Sequence, residues 1–173
     1  MLNFLIVSDT HGNEYLLRRL LDGNRTVDAV FFLGDGLREL EEITAEGGYP
    51  PIFAVRGNCD SEVSFFHKKR EEELLLEFGG HRLLLLHGHT VSVKLTLGGL
   101  LDRARTYGAD IVLFGHTHDP EEGYRGEDAG GPIWYFNPGS LGRPYDGRPH
   151  FGRLTVDEDG APLFSHGVWE ERQ

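Results

Sequence analysis

The chain has 173 residues, 39% of them hydrophobic, with 17 Lys or Arg against 28 Asp or Glu and a formal net charge of −11. That length suits one domain, residues 1–173, with a full core, and the hydrophobic share excludes an intrinsically disordered chain. The acidic balance excludes an extended nucleic-acid surface, and no apolar run reaches the ~20 residues of a membrane span, so neither is an expected partner.

Phe4 to Val7 is a short apolar run that reads as a buried strand. The residues before it lack the basic segment and cleavage site of a signal peptide. Leu16, Leu17, Leu20 and Leu21 repeat at helical spacing, and Asp22-Gly23-Asn24 ends that helix. Ala29 to Leu33 is a second strand, Leu37 to Ala45 a second helix, and Ile52 to Val55 a third strand. This alternation predicts parallel strands with right-handed crossovers, and functional groups at the strands' carboxyl ends. The later chain is richer in strands. Glu73 to Phe78 and Arg82 to Leu86 flank a Gly79-Gly80 hairpin turn. A helix near Gly99 to Tyr107 leads to a strand at Ile111 to Phe114, and another strand follows at Ile133 to Phe136. Arg153 to Val156 and Leu163 to Trp169 read as closing antiparallel strands, and the polar, glycine-rich Glu121 to Gly131 as an exposed loop. The lone cysteine, Cys59, excludes an internal disulfide and makes the cytosol the expected compartment.

Five strings sit where apolar runs end: Asp9-Thr10-His11, Gly34-Asp35, Gly57-Asn58-Cys59-Asp60, His87-Gly88-His89 and Gly115-His116-Thr117-His118. Singly, each has an ordinary reading; Asp-Gly, for example, is a turn signature. Together they are how a sheet delivers metal ligands from several strands to one edge. The set suggests two metal ions sharing one carboxylate, a device for hydrolysing phosphate esters.

The order Asp-x-His, Gly-Asp, Gly-Asn-x-Asp, His, Gly-His-x-His resembles the calcineurin-like metallophosphoesterase superfamily. The Gly-Asn-Cys-Asp form, His-Gly-His and Asn137-Pro138-Gly139-Ser140 resemble its small YfcE-like branch of prokaryotic phosphodiesterases. The resemblance implies an α/β fold in which two mostly mixed β-sheets pack as a sandwich flanked by helices, in four layers α/β/β/α. It implies that Asp9, His11 and His118 hold one divalent ion, that Asn58, His87 and His116 hold the other, and that Asp35 bridges them. Manganese is the first choice, with iron, zinc, nickel or cobalt as alternatives. Two such ions carry +4; Asp9, Asp35 and a bridging hydroxide leave about +1, enough to hold an anionic ester within an acidic protein. In-line attack by that hydroxide then needs no nucleophile from the protein.

Many relatives in this superfamily carry a His after the Asn, thought to protonate the leaving group, where this chain has Cys59. A thiol with an ordinary pKa of ~8.5 is a poor replacement, so the sequence predicts a preference for esters whose leaving group needs little protonation. His89 is a candidate for touching the substrate phosphate or for bonding a backbone carbonyl, Arg143 for meeting a phosphate oxygen, and Asp60 for orienting a ligand or closing its turn. His67, His81, His150 and His166 carry no motif and are expected to be structural or on the surface. The expected substrate is a small phosphate diester. The alternatives are a phosphomonoesterase or nucleotide hydrolase, and a non-catalytic protein-binding scaffold like the metallophosphoesterase-like subunit of retromer. An edge strand among the late β segments would allow pairing into a dimer or tetramer.

Overall fold

The computed structural model describes residues 1–62, 69–126, 131–157 and 160–170. His67 lies outside them. Five strands form a first sheet in the order β10-β9-β1-β2-β3: β1 is Leu2–Val7, β2 Ala29–Phe32, β3 Ile52–Ala54, β9 His150–Val156 and β10 Leu163–Val168. In it β1, β2 and β3 run parallel, with Phe4 opposite Ala29 and Phe31 opposite Phe53, while β9 pairs antiparallel with both β1 and β10. A second sheet has the order β4-β5-β6-β8-β7: β4 is Glu73–Phe78, β5 His81–Leu86, β6 Ile111–Leu113, β7 Pro120–Arg125 and β8 Ile133–Pro138. Here β5, β6 and β8 are parallel and the two outer strands antiparallel. Gly79 and Gly80, at φ +55° and +78°, make the two-residue turn between β4 and β5 that residues with side chains resist.

Side-chain alternation builds the layers. Phe4 and Ile6 of β1, Phe31 of β2, Leu83 and Leu85 of β5, and Ile111 and Leu113 of β6 face one another between the sheets. Their neighbours Leu5, Val7, Val30 and Phe32 turn outward to meet helices α1 (Glu14–Asp22) and α2 (Leu37–Thr44). Leu84, Leu86 and Val112 likewise meet α3 (Gly98–Tyr107). Strands buried on both faces read as continuous apolar runs, which is why the central ones were easy to locate. The result is the four-layer sandwich that the family resemblance implies.

Helix α1 buries Leu16, Leu17, Leu20 and Leu21 and is capped by the Asn13 side chain, which accepts from Leu16 N at 3.2 Å. Helix α2 lacks a side-chain cap of its own; Gly36 and Leu37 N donate instead to Asp60 Oδ1, both at 2.9 Å.

The segment expected as an exposed loop after Asp119 differs. Pro120–Arg125 is an edge strand on β8. Its backbone pairing and the Tyr124–Trp134 ring contact (5.1 Å) hold it there, while its solvent face carries the polar residues that hid it. Residues 127–130 lie outside the described set.

The fully buried Phe31, stacked on Phe4 at 4.7 Å, anchors the inter-sheet core. Phe31→Ala is expected to cost about 3–5 kcal/mol in urea unfolding, whereas Leu163→Ala at the exposed start of β10 should stay within about 0.5 kcal/mol.

Candidate metal centre

Five of the seven expected ligands leave their strand ends through left-handed backbone. Asp9 has φ +55°, His11 +44°, Asp35 +58°, His116 +69° and His118 +64°; among the described residues Ser92 is the one other non-glycine residue with positive φ. Such a backbone costs about 1–3 kcal/mol per residue and persists where the surroundings over-determine it. Here it turns side chains from β1, β2 and β6 toward one edge of the sandwich.

Three overlapping groups result, with ligand-type atoms inside each within 4.8 Å of one another: Asp9, His11 and His118; His11, Asp35 and Cys59; Asp9, Asp35 and His87. Asp35 Oδ2 lies 3.8 Å from His11 Nε2 and 3.4 Å from His87 Nε2. Asp9 Oδ1 lies 3.2 Å from His118 Nε2 and 3.5 Å from His11 Nε2. The His87 ring packs against His116 (5.0 Å between centroids) and His89 (5.4 Å). Asn58 is exposed, and its amide donates to Cys59 Sγ at 3.3 Å, so it borders the cluster through that thiol.

Several features fit this edge to divalent ions. Asp9 Oδ1 and His87 Nε2 are buried without a hydrogen-bond partner among the described residues, and orphaned buried polar atoms call for one. His11 Nε2 and His118 Nε2 stand 3.0 Å apart, close enough for both imidazoles to serve one ion. Ring orientation agrees. His87 Nδ1 meets Leu33 O at 2.6 Å and His118 Nδ1 meets Arg143 O at 2.9 Å. A carbonyl only accepts, so both Nδ1 atoms carry the proton, and in the neutral ring Nε2 keeps its lone pair toward the carboxylates.

The frame is hydrogen-bonded throughout. Asp60 accepts four backbone N–H groups, from Asp35 (2.8 Å), Gly57 (2.9 Å), Gly36 and Leu37 (2.9 Å each). It therefore orients the Asp35 backbone and closes its own turn at once. Gly57 is obligatory here, because a Cβ would overlap the Asp35 carboxylate and backbone nitrogen. Ser140 Oγ donates to Asp9 O and accepts from Arg143 N, both at 2.8 Å, and Asn137 Nδ2 donates to Gly115 O and Thr117 Oγ1, both at 2.9 Å.

Electrostatics follow from burial and proximity. Burial opposes ionisation of Asp9, but the imidazoles of His11, His118 and His87 and the Ser8 hydroxyl outweigh it and hold the carboxyl far below its usual range. Asp35 shows the same competition, won by His87 and the Cys59 N–H, and settles at about 2. Burial pulls His87 down, yet Asp35 and Asp9 raise it; His118 is raised first by Asp9. Burial and the charges of His87 and Lys94 lower His116 to about 4, and burial and His87 lower His89. Partial burial and the carboxylates of Asp35 and Asp60 push the Cys59 thiol up to about 11.

A cleft of about 510 Å³ opens beside this edge, lined by His11, Asp35, Arg38, Cys59, Asp60 and Arg143 among others. The model for the calcineurin-like phosphoesterase superfamily domain matches residues 2–159. The chain belongs to this superfamily. It is 36% identical over 165 residues to the probable metallophosphoesterase YsnB of Bacillus subtilis, covering 94% of this chain and 89% of that one. It is 32% identical over 178 residues to the phosphodiesterase YfcE of Escherichia coli K12, covering 91% and 89%. The structure of vacuolar protein sorting 29 from Cryptosporidium parvum superposes with a TM-score of 0.74 over 98% of each chain at 19% identity, a likeness of fold. Calcineurin-like phosphoesterases bind divalent metals, and the clustered Asp and His residues are this chain's candidate ligands.

Among the described residues the remaining histidines are structural: His81 pairs with Asp110 at 2.6 Å, His150 with Asp146 at 3.0 Å, and His166 stacks on Phe136 while meeting Asn137 O at 2.8 Å. The Nδ1 atom of His89 is buried with no partner among the described residues, so the carbonyl bond considered for it is not made there. Cys59, which the sequence placed next to the metal ligands at the position of the leaving-group acid, falls in one group with His11 and Asp35.

Asp60→Asn keeps one acceptor oxygen for four N–H donors and should weaken Mn²⁺ binding about 10–100-fold in calorimetric titration. Asp35 has a folded pKa below its ordinary value, so in chelator-treated protein its stabilising contribution is present above ~4 and is lost as pH falls toward about 2. Asp35→Asn should accordingly flatten the acid limb of the stability–pH curve in that window.

Proposed function

We propose that the chain is a metal-dependent phosphodiesterase that works with two divalent ions and cleaves its ester by in-line displacement at phosphorus. The observation that carries this reading is the double membership of Asp35, whose carboxylate lies within ligand distance of both His11 and His87. In this reading Asp9, His11 and His118 hold one ion, Asn58, His87 and His116 hold the other, and Asp35 serves both. Manganese is the first choice for this mixture of imidazole, carboxylate and amide oxygen, with iron, zinc, nickel and cobalt sharing the preference. Bound there, the ions supply a solvent nucleophile at neutral pH and offset the charge that grows on the phosphoryl oxygens.

The chain's own residues do the rest. Asp9 and Asp35 stay ionised at neutral pH. The carbonyls of Leu33 and Arg143 fix the rings of His87 and His118. Arg143, lining the cleft, receives a phosphoryl oxygen and counters the acidic surface. His89, held neutral, offers the phosphate a hydrogen bond from a position beside His87 and His116. Cys59, with its thiol raised to about 11, lies well away from the neutral pKa that makes an efficient general acid. Departure then depends on the leaving group itself.

The scaffold alternative calls for a continuous exposed apolar patch. Among the described residues the exposed large hydrophobic side chains, Met1, Tyr15, Leu95, Tyr124, Tyr145 and Leu163, come from six separate stretches of the sequence.

With Mn²⁺ restored, bis(p-nitrophenyl) phosphate should be hydrolysed faster than p-nitrophenyl phosphate, and matched alkyl diesters slowly; the reverse order for diester and monoester would favour a phosphomonoesterase. Asp35→Asn should lower both metal content and rate, the rate by at least about 100-fold. Full activity and full metal content in that variant would refute the shared-carboxylate assignment. Cys59→His should raise alkyl-diester rates about 10²-fold or more and aryl-diester rates far less.

A further inference from the structure

The ligand edge has an aromatic neighbour that the assignment above does not use. Tyr145 is 69% exposed, and its ring lies 5.7 Å from that of His118, with 36° between the planes. The His118 ring in turn lies 4.9 Å from His11, and His11 lines the cleft together with Asp35, Cys59 and Arg143. A row of rings therefore leads from Tyr145 through His118 to His11 at the cleft. Neither Tyr145 nor His118 belongs to the cleft wall.

The segment that presents the ring is fixed on both sides. Before it, Gly142 N donates to Asp9 O at 3.0 Å and Arg143 N to Ser140 Oγ at 2.8 Å. After it, Asp146 accepts from Arg148 N and meets His150 Nε2, both at 3.0 Å. The ring stands exposed on this anchored segment with its neighbour His118 on one side, and so offers a flat face for stacking beside the candidate ligands.

We propose that Tyr145 forms a subsite for an aromatic substituent of the phosphate ester, an aryl ring or a nucleobase. This rests on the phosphodiesterase reading. A diester sends two arms from phosphorus. The cleft with Arg143 receives one, and the Tyr145 face receives the other, so the two-sided arrangement suits a diester better than a monoester. Offset stacking on one tyrosine strengthens binding about threefold to tenfold.

The test is calorimetric binding to Mn²⁺-loaded protein of methylphosphonate, phenylphosphonate and an adenine-bearing alkylphosphonate, none of which has an ester bond to cleave. The wild type should bind the phenyl or adenine probe about three to ten times more tightly than methylphosphonate, and the larger gain names the source of the ring. Tyr145→Ala should bring that ratio to one without changing methylphosphonate affinity, and Tyr145→Phe should keep it. Equal affinities in the wild type, or an unchanged ratio in Tyr145→Ala, would overturn the subsite. If the wild type still hydrolyses bis(p-nitrophenyl) phosphate in that case, the subsite alone has failed. If it neither hydrolyses that ester nor binds any phosphonate, the functional reading has failed with it.

Discussion

Two carboxylates at the ends of adjacent parallel strands are the constraint on which this molecule turns. Asp9 and Asp35 share a group with His87 in which every ligand-type atom lies within 4.8 Å of the others, and Asp9 is fully buried. Like charges this close in a poorly polarisable interior repel strongly. Neutralising the pair by protonation is prevented by the imidazoles around it, which hold both acids below their usual range. The chain thus keeps a concentrated negative site and surrounds it with rings whose lone pairs, when neutral, point inward. Such a site favours a small, highly charged cation over any arrangement of protons.

Holding the pair in place takes backbone as well as side chains. The left-handed residues at the strand ends would relax if their surroundings allowed it, and the hydrogen bonds around them do not allow it. Asp60 is the clearest case. A single carboxylate tethers the Asp35 backbone, the Gly57 turn and the first turn of α2, and so converts a helix start into a support for the site. Ser140 and Asn137 do the same for the loops bearing Asp9 and the Gly115–Thr117 segment. The strain is local, while its compensation comes from segments far apart in sequence.

The sequence made much of this legible, for identifiable reasons. Central strands buried on both faces leave unbroken apolar runs, so β1, β2, β5 and β6 and the loops that follow them were found together. Asp9, His11, Asp35, His87 and His118 converge as their positions after those strands suggested. Strand β7 was missed because an edge strand with one solvated face needs few apolar residues, and its composition imitates a loop. The fourfold role of Asp60 was illegible because backbone N–H groups leave no trace in side-chain patterns. Tyr145 gave no signal because a single exposed aromatic has no periodicity to betray its purpose.

The expected ligands come from both layers of the sandwich. Asp9, His11 and Asp35 follow strands of the first sheet, whereas His87, His116 and His118 follow strands of the second. His87 Nδ1 already reaches across to Leu33 O. An ion seated at this seam would rivet the two layers, and neither layer could assemble the full donor set by itself. Cation affinity and the docking of the sheets would on that account be coupled, and loss of the rivet would be felt first as loosening between layers.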